Sequence, residues 1–177
     1  GIGYGGSCFP KDTKALSWVA SYNDVELKTV KAAIEVNEQQ KLKLLKKARK
    51  YYNDFSDLTV AVLGLTFKPG TDDLREAPSL VNIPILLDDG AKVRAWDPVG
   101  TENFKAKIHD DVMYCDSIAE ALRNADLCLI FTEWPQVKAL TSTDFLTMKN
   151  PIILDGRNCL NTEGFKEANI IYEGIGK

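Results

Sequence analysis

One cysteine near the start of the chain, in the segment GIGYGGSCFPKD, has the surroundings of a nucleophile. The glycines between Gly1 and Gly6 let the backbone bend tightly and approach a ligand where side chains would collide. Cys8 follows them. A cysteine attacks as its thiolate, which Lys11 and the start of a following helix would both favour. The alternative is a buried structural cysteine, the commoner role of an isolated free thiol.

A second polar segment, GLTFKPGTDDLREAPS, begins where a short apolar strand ends. In an open α/β sheet the carboxyl ends of the strands are where ligands bind. Lys68 lies on a short turn there, and Arg75 precedes the next predicted helix, so two cations converge near a helix N-terminus and suit a phosphate. The alternative, which spacing alone leaves open, is a surface loop in which Arg75 pairs with Asp72 or Asp73.

The composition excludes several classes of protein. With 177 residues, 45% of them hydrophobic, the chain can form a globular core. A net charge of −3 from 22 basic and 25 acidic residues gives no broad basic surface for nucleic acid. No apolar run approaches about 18 residues and no signal-peptide pattern is present, which predicts a cytoplasmic protein without membrane contact.

The four cysteines predict neither a metal site nor a disulfide framework, because they are widely spaced and form no CxxC pair. Cys115 and Cys128 lie in apolar runs and are predicted to belong to the core. Cys159 follows a Gly-Arg-Asn turn, and its surroundings stay open.

The first third of the chain is predicted to be helical. One helix is expected over 12–21 and a longer one over 23–52, with Asn23 and Glu26 forming a capping box. The longer helix would measure about 40 Å at ~1.5 Å per residue, a length typical of helices that bridge domains or subunits. Its run KLKLLKKARK is interpreted as a solvated basic face rather than a nucleic-acid site.

From residue 58 onward, short apolar strands alternate with helices. The predicted strands are 59–65, 92–98, 112–115, 125–132, 151–156 and 169–174, with helices at 79–88 and 117–124. This pattern predicts an α/β fold, in which a long helical connector (1–57) precedes a Rossmann-like, doubly wound parallel sheet (58–177). The strand over 59–65 is not followed by GxGxxG, so this is not predicted to be the NAD domain.

Three segments resemble the UDP-glucose dehydrogenase family of NAD-dependent nucleotide-sugar 6-dehydrogenases. GIGYGGSCFPKD resembles the catalytic-cysteine motif, and SCFPKD resembles its UDP-glucose branch, since the N-acetylmannosamine branch has a histidine before the cysteine and lacks Lys-Asp. The pattern of the C-terminal nucleotide-sugar domain is matched by Phe67, Lys68, Thr71, Asp73, Arg75 and Glu76. LDGRN, which contains Arg157, is the third matching segment.

The resemblance implies covalent catalysis. Cys8 would attack the C6 aldehyde formed by a first hydride transfer, a second NAD would oxidise the thiohemiacetal to a thioester, and water would release the carboxylate. Asp12 would position or activate that water, and Lys11 would approach the cofactor. Helix capping and solvation are the alternatives for these two residues.

The resemblance also implies binding roles. The implied substrate-binding residues are Gly1, Tyr4, Gly5, Phe67, Lys68 and Arg157. Arg75 would reach NAD from across the cleft, and the long helix would form a homodimer interface. For Arg157 alone, a structural turn is the alternative.

The implied protein is the C-terminal portion of a UDP-glucose 6-dehydrogenase that makes UDP-glucuronate. Because the chain opens inside a motif without Met, an N-terminal NAD-binding domain is expected upstream, and this portion alone is expected to be inactive. The alternatives are a dehydrogenase of a UDP-N-acetylhexosamine or GDP-mannose, or a non-catalytic nucleotide-binding or dimerisation module in which Cys8 packs. A cysteine hydrolase would need His109, the one histidine of the sequence, as its base.

Overall fold

The computed structural model describes residues 1–108 and 111–176, so His109 lies outside the described residues. Its first part contains three helices: α1 (Cys8–Tyr22), α2 (Lys28–Lys41) and α3 (Lys43–Ala48). The prediction that the first helix begins near residue 12 was wrong, because α1 begins at Cys8. Pro10 does not prevent this, since a proline is tolerated in the first turn, where its missing N–H would have no helical partner.

The single helix predicted over 23–52 was also wrong. Asn23 ends α1, its N–H donating to the carbonyl of Ala20 at 3.0 Å, and Asp24 takes a left-handed φ of 56° that reverses the chain. The predicted capping box therefore does not form. The helix is interrupted again at Leu42, where the buried Asn82 amide donates to the Lys41 carbonyl at 2.9 Å.

The sheet confirms the predicted doubly wound parallel architecture. Its strands are β1 (Thr59–Leu63), β2 (Lys92–Trp96), β3 (Met113–Tyr114), β4 (Leu127–Ile130), β5 (Ile152–Asp155) and β6 (Ile171–Gly174). Their order is β3-β2-β1-β4-β5-β6, and every neighbouring pair is parallel. All six lie within the predicted ranges and are shorter at their ends.

Five helices accompany the strands: α4 (Ser79–Asp88), α5 (Thr101–Lys105), α6 (Ile118–Leu122), α7 (Pro135–Lys138) and α8 (Ser142–Phe145). The predicted helix at 79–88 matches α4, and α6 lies inside the predicted 117–124. The sequence pattern missed α5, α7 and α8, since four or five residues are too few to show helical periodicity. Alternating β1 residues enter two separate cores: Val60 and Val62 on one face, Ala61 and Leu63 on the other.

The basic run after residue 40 is not wholly solvated, which corrects the sequence interpretation. Lys41 is 3% exposed and Lys47 is 9% exposed. Each is paired, because a buried ammonium group needs a partner. Lys41 Nζ lies 2.6 Å from a Glu76 oxygen, and Lys47 Nζ lies 2.6 Å from a Glu173 oxygen.

The cysteines are all free, with Cys115 and Cys128 buried as predicted, Cys159 half-buried and Cys8 exposed. Among the described residues, no cluster of His, Cys, Asp or Glu could hold a metal ion. The described part of the chain likewise contains no helix of the length and apolarity needed to cross a membrane.

Candidate functional site

The sheet register brings several polar loops to one edge. Leu63 at the end of β1 pairs with Trp96 of β2 and with Ile130 of β4, and Ile130 pairs in turn with Asp155 at the end of β5. The loops that follow these strands therefore meet at the carboxyl edge of the sheet. Phe67, Lys68 and Arg157 lie on those loops.

The cysteine loop, residues 1–7 ahead of Cys8, packs directly against the segment after β1, residues 64–78. The Gly6 N–H donates to the Arg75 carbonyl at 2.7 Å. A Cβ built on Gly6, whose φ is +80°, would come within 2.8 Å of the Phe67 ring, and one on Gly5 would come within 2.8 Å of the Glu76 carbonyl oxygen. Glycine is required at both positions, because Gly5 lies against the Glu76 backbone and Gly6 lies against the Phe67 ring with a positive φ.

A pocket of about 570 Å³ lies between these two segments. Cys8 and Gly5 line it from the cysteine loop, and Phe67, Lys68 and Arg75 line it from the segment after β1. The Lys68 ammonium is exposed and lies 5.3 Å from the centre of the Phe67 ring. The structure thus brings five of the predicted site residues to one cavity that offers a thiol and two cations.

Arg75 also forms the surface pair that the sequence left as an alternative. Its Nη2 lies 2.7 Å from Asp73 Oδ2, and its side chain is 62% exposed. The hydrogen bonds from Arg75 lower the pKa of the Asp73 carboxyl. Arg75 therefore remains charged at the pocket wall, with one carboxylate already in contact.

Lys11 and Asp12 do not line the Cys8 pocket. They lie on the exposed face of α1 and pair with each other at 3.1 Å. Asp12 is four residues after Cys8, one helical turn away on the same side of α1. Lys11 lines a neighbouring pocket of about 480 Å³, together with Lys14 and Arg75.

Gly1 and Tyr4 likewise lie outside the Cys8 pocket. Both line a separate cavity of about 430 Å³ beside α2. The main chain of Tyr4 is held by Asn37, which accepts its N–H at 2.7 Å and donates to its carbonyl at 3.1 Å. The Tyr4 ring faces Phe9, with centroids 5.9 Å apart.

Arg157 makes the contacts of a structural residue. Its Nε donates to the Phe131 carbonyl at 2.7 Å, and its Nη2 donates to the Phe67 carbonyl at 2.8 Å. Glu133 lies 3.1 Å from the same Nε. Arg157 thus ties the loops after β1, β4 and β5 together and fixes the main chain beside Lys68.

A buried carboxylate, Asp97, organises the same edge and was missed in the sequence. It follows β2 and accepts hydrogen bonds from the N–H groups of Leu65 at 2.7 Å and Gly100 at 2.6 Å, and from Trp134 Nε1 at 3.0 Å. The available signal was an Asp-Pro pair at a strand end, next to the loop that carries Lys68.

The turn after β1 and the end of β2, where a Rossmann fold places a dinucleotide, make close internal contacts in this chain. A dinucleotide crevice needs an open approach at the turn after β1 and an acidic group at the end of β2 for the ribose. Here a Cβ on Gly64 would collide with Thr132, and Asp97 is already engaged by several donors. The expectation that this sheet is not the NAD domain, drawn from the absence of GxGxxG, stays a prediction.

Known proteins match both parts of the chain, the start that carries Cys8 and the α/β region. Residues 61–162 match the UDP binding domain of the UDP-glucose/GDP-mannose dehydrogenase family, and residues 1–39 match the central domain of that family. The chain is 41% identical over 178 residues to UDP-glucose 6-dehydrogenase TuaD of Bacillus subtilis, covering 100% of this chain and 39% of TuaD. It is 45% identical over 175 residues to UDP-glucose 6-dehydrogenase AglM of Haloferax volcanii, covering 99% of this chain and 39% of AglM.

Solved structures show the same architecture. A UDP-glucose dehydrogenase from Pyrobaculum islandicum superposes with a TM-score of 0.84 at 34% identity, covering 98% of this chain and 38% of that one. GDP-mannose dehydrogenase from Pseudomonas aeruginosa superposes with a TM-score of 0.80 at 26% identity, covering 99% and 40%. The chain spans about 40% of the length of the relatives named here. With most of its α/β region matching the family's UDP binding domain, this chain belongs to the UDP-glucose/GDP-mannose dehydrogenase family.

Proposed function

We propose that this chain is the nucleophile-bearing and substrate-binding part of a UDP-glucose 6-dehydrogenase, which converts UDP-glucose to UDP-glucuronate. The observation that carries the proposal is the single pocket that Cys8, Lys68 and Arg75 line together. Two relatives that align over nearly the whole chain, TuaD and AglM, are named UDP-glucose 6-dehydrogenase.

The proposed substrate position follows from charge. The diphosphate of a UDP-sugar needs cations and N–H donors, which Lys68 and the glycine-rich loop supply. Phe67 forms the apolar wall behind Lys68, and Arg157 holds that turn in place through the Phe67 carbonyl. This arrangement would direct the sugar C6 toward Cys8.

The proposed role of Cys8 is covalent. It is exposed at the first position of a 15-residue helix, where the helix dipole stabilises negative charge on a thiolate. Removal of a first hydride from the C6 alcohol would give an aldehyde, which the sulfur attacks to form a thiohemiacetal. Removal of a second hydride would give a thioester, and water would displace the sulfur to give the carboxylate, with two NAD as the hydride acceptors. Asp12, one turn further along α1, would orient that water.

We propose that NAD, which accepts the hydride when bound, is held mainly by another part of a longer protein. The absence of GxGxxG after β1 and the hydrogen bonds that already engage the Asp97 carboxylate support this proposal. From this chain, Lys11 and Arg75 are the cations proposed to face the cofactor, since both line the pocket next to that of Cys8.

A homodimer is part of the proposal. Large apolar side chains are exposed along α1, notably Trp18 at 67% and Tyr22 at 77%, whose rings stack 5.5 Å apart. An apolar face of this kind is typical of a surface that a partner covers. The predicted long helix is interrupted, so we assign the interface to the exposed apolar face of α1, with a second copy of the chain as the partner.

Two alternatives have less support. A module in which Cys8 merely packs would bury that thiol, yet Cys8 is exposed. A dehydrogenase of another nucleotide sugar shares the fold, since UDP-N-acetylmannosamine dehydrogenase from Staphylococcus aureus superposes with a TM-score of 0.71 at 25% identity. UDP-glucose is preferred because relatives of higher identity carry that name.

Calorimetric titration of this chain with UDP tests the proposed binding site. We expect a millimolar or tighter dissociation constant, and a loss of about tenfold or more in Lys68→Ala, since a charge-assisted hydrogen bond contributes about 1.5–3 kcal/mol. Lys92→Ala is the control, because Lys92 is an exposed lysine at the start of β2, on the opposite edge of the sheet. No UDP binding by the folded chain at millimolar concentration would overturn the proposal.

A further inference from the structure

Glu76 connects the sheet to two helices through one carboxylate. Its Oε1 lies 3.1 Å from Lys14 Nζ on α1, and its Oε2 lies 2.6 Å from Lys41 Nζ on α2. Hydrogen bonding from Lys41 is the main cause that lowers the pKa of Glu76, so the carboxylate is ionised at neutral pH. The sequence marked Glu76 only as a motif residue and gave it no role.

The backbone of Glu76 is held in an unusual conformation. Its φ is +57°, a left-handed value that costs a non-glycine residue about 1–3 kcal/mol and persists where surrounding contacts enforce it. This turn places the carbonyls of Arg75 and Glu76 against the cysteine loop. The first accepts the Gly6 N–H, and the second occupies the space that a Cβ on Gly5 would need.

The Lys41 side of the cluster is buried. The Lys41 side chain is 4% exposed and pairs with Glu38 at 3.0 Å as well as with Glu76. Its carbonyl accepts a hydrogen bond from Asn82 of α4 at the point where α2 ends. Lys41 therefore fixes the end of α2 twice: its ammonium group pairs with Glu76, and its carbonyl is bound by Asn82 of α4.

We infer that Glu76 is a positioning residue, which holds α1, and with it Cys8, at a defined place against the segment that carries Lys68 and Arg75. Glu76 does not line the Cys8 pocket but borders the neighbouring pocket of Lys11 and Arg75, where Lys14 and Lys41 already occupy its carboxylate; we therefore place its role in holding α1 and the glycine loop. Its importance for catalysis rests on the proposed function. The inferred placement of α1 by Glu76 does not rest on the proposed function, because it concerns contacts within this chain.

The position of Cys8 relative to the sheet can be measured by electron spin resonance. One nitroxide is attached to Cys8 and a second to a cysteine introduced by Lys92→Cys, in a Cys159→Ser background, since Cys115 and Cys128 are buried. We expect a narrow distance distribution in the otherwise unchanged chain and at least a twofold broader one in Glu76→Gln. Glu76→Asp should restore most of the narrow distribution, because it keeps the charge and tolerates a left-handed φ.

Two further variants separate placement from stability. Glu173→Gln removes a comparable carboxylate, which joins α3 to β6 through Lys47 and Lys50, and should leave the distribution unchanged. Lys14→Met removes the contact of Glu76 to α1 while Lys41 stays paired with Glu76, so it should also broaden the distance distribution. It provides the test if Glu76→Gln fails to fold. Unchanged distributions in the folded Glu76 and Lys14 variants would overturn the inference. The measurement uses no ligand, so a failure of UDP to bind would count against the proposed function alone.

Discussion

At the scale of the residue, the candidate site depends on the exposure of the Cys8 thiol and on the close contact of Gly6 with Phe67. Burial raises the pKa of the Cys115 thiol to about 11 and that of Cys159 to about 12, so neither supplies a thiolate at neutral pH. The Cys8 thiol is exposed, at the first position of α1. The glycine before Ser7 matters equally, because Gly6 lets the loop touch Phe67.

Alanine at Gly6 is therefore expected to destabilise the chain more than alanine at Gly70. Both glycines have positive φ, +80° and +77°, so both substitutions carry left-handed strain of about 1–2 kcal/mol. Only Gly6 has the Phe67 ring within 2.8 Å of an added Cβ, whereas nothing lies within 4 Å at Gly70. Urea unfolding should show a further loss of about 1–3 kcal/mol in Gly6→Ala. Equal losses would show that the loop is not tightly seated on Phe67.

Residue roles were only partly predictable from sequence. Cys8, Phe67, Lys68 and Arg75 could be found because their local patterns are distinctive, and the structure brings them to one pocket. The contacts of Arg157 could not be foreseen, since they depend on which carbonyls of distant loops face its guanidinium.

At the scale of the element, ion clusters attach the helices to the sheet. Glu173 on β6 accepts hydrogen bonds from Lys47, Lys50 and Tyr51 near the end of α3. Burial alone would raise the pKa of Glu173, but these hydrogen bonds outweigh it and lower the pKa to about 2.

The helix boundaries were mispredicted because tertiary contacts help to set them. The hydrogen bond from Asn82 to the Lys41 carbonyl at the end of α2 is one such contact, and no local sequence pattern encodes it.

The Glu173 cluster predicts a specific loss of stability in acid. In the unfolded chain this carboxyl ionises at its ordinary value, about 4.5, so its stabilisation is complete above that pH and is lost as pH falls toward about 2. Urea unfolding of Glu173→Gln should show about 3 kcal/mol less stability than the unchanged chain at pH 7, with the difference shrinking between pH 4.5 and 2. A difference that does not depend on pH would exclude this role.

At the scale of the whole molecule, the sheet has the topology of a dinucleotide-binding fold. The strand order 3-2-1-4-5-6 is that of the Rossmann fold, and the candidate pocket lies between the segment after β1 and the cysteine loop. The doubly wound parallel sheet was predictable from alternating apolar strands and helices. The contacts of Gly64 with Thr132 and of Asp97 with Trp134 were not, because they join residues far apart in sequence.

The exposed face of α1 predicts that the chain self-associates. Light scattering after gel filtration should give the mass of a dimer at micromolar concentration, and Trp18→Glu should give a monomer, because the charge would be buried in the interface. Leu146→Glu serves as the control, since Leu146 is likewise an exposed apolar residue, at 59%, but follows α8 instead of lying on α1. A dimer that persists in Trp18→Glu would assign the interface elsewhere.

The central claim is that Cys8 is the nucleophile. Its most direct test is the rate of UDP-glucuronate formation by a full-length protein that carries this sequence with Cys8→Ser, compared with Cys115→Ser, which alters a buried thiol outside the site. We predict a loss of about a thousandfold or more for Cys8→Ser and near-normal turnover for Cys115→Ser, since a serine hydroxyl is a far weaker nucleophile without an activating base. Normal UDP-glucuronate formation by the Cys8→Ser protein would contradict the claim.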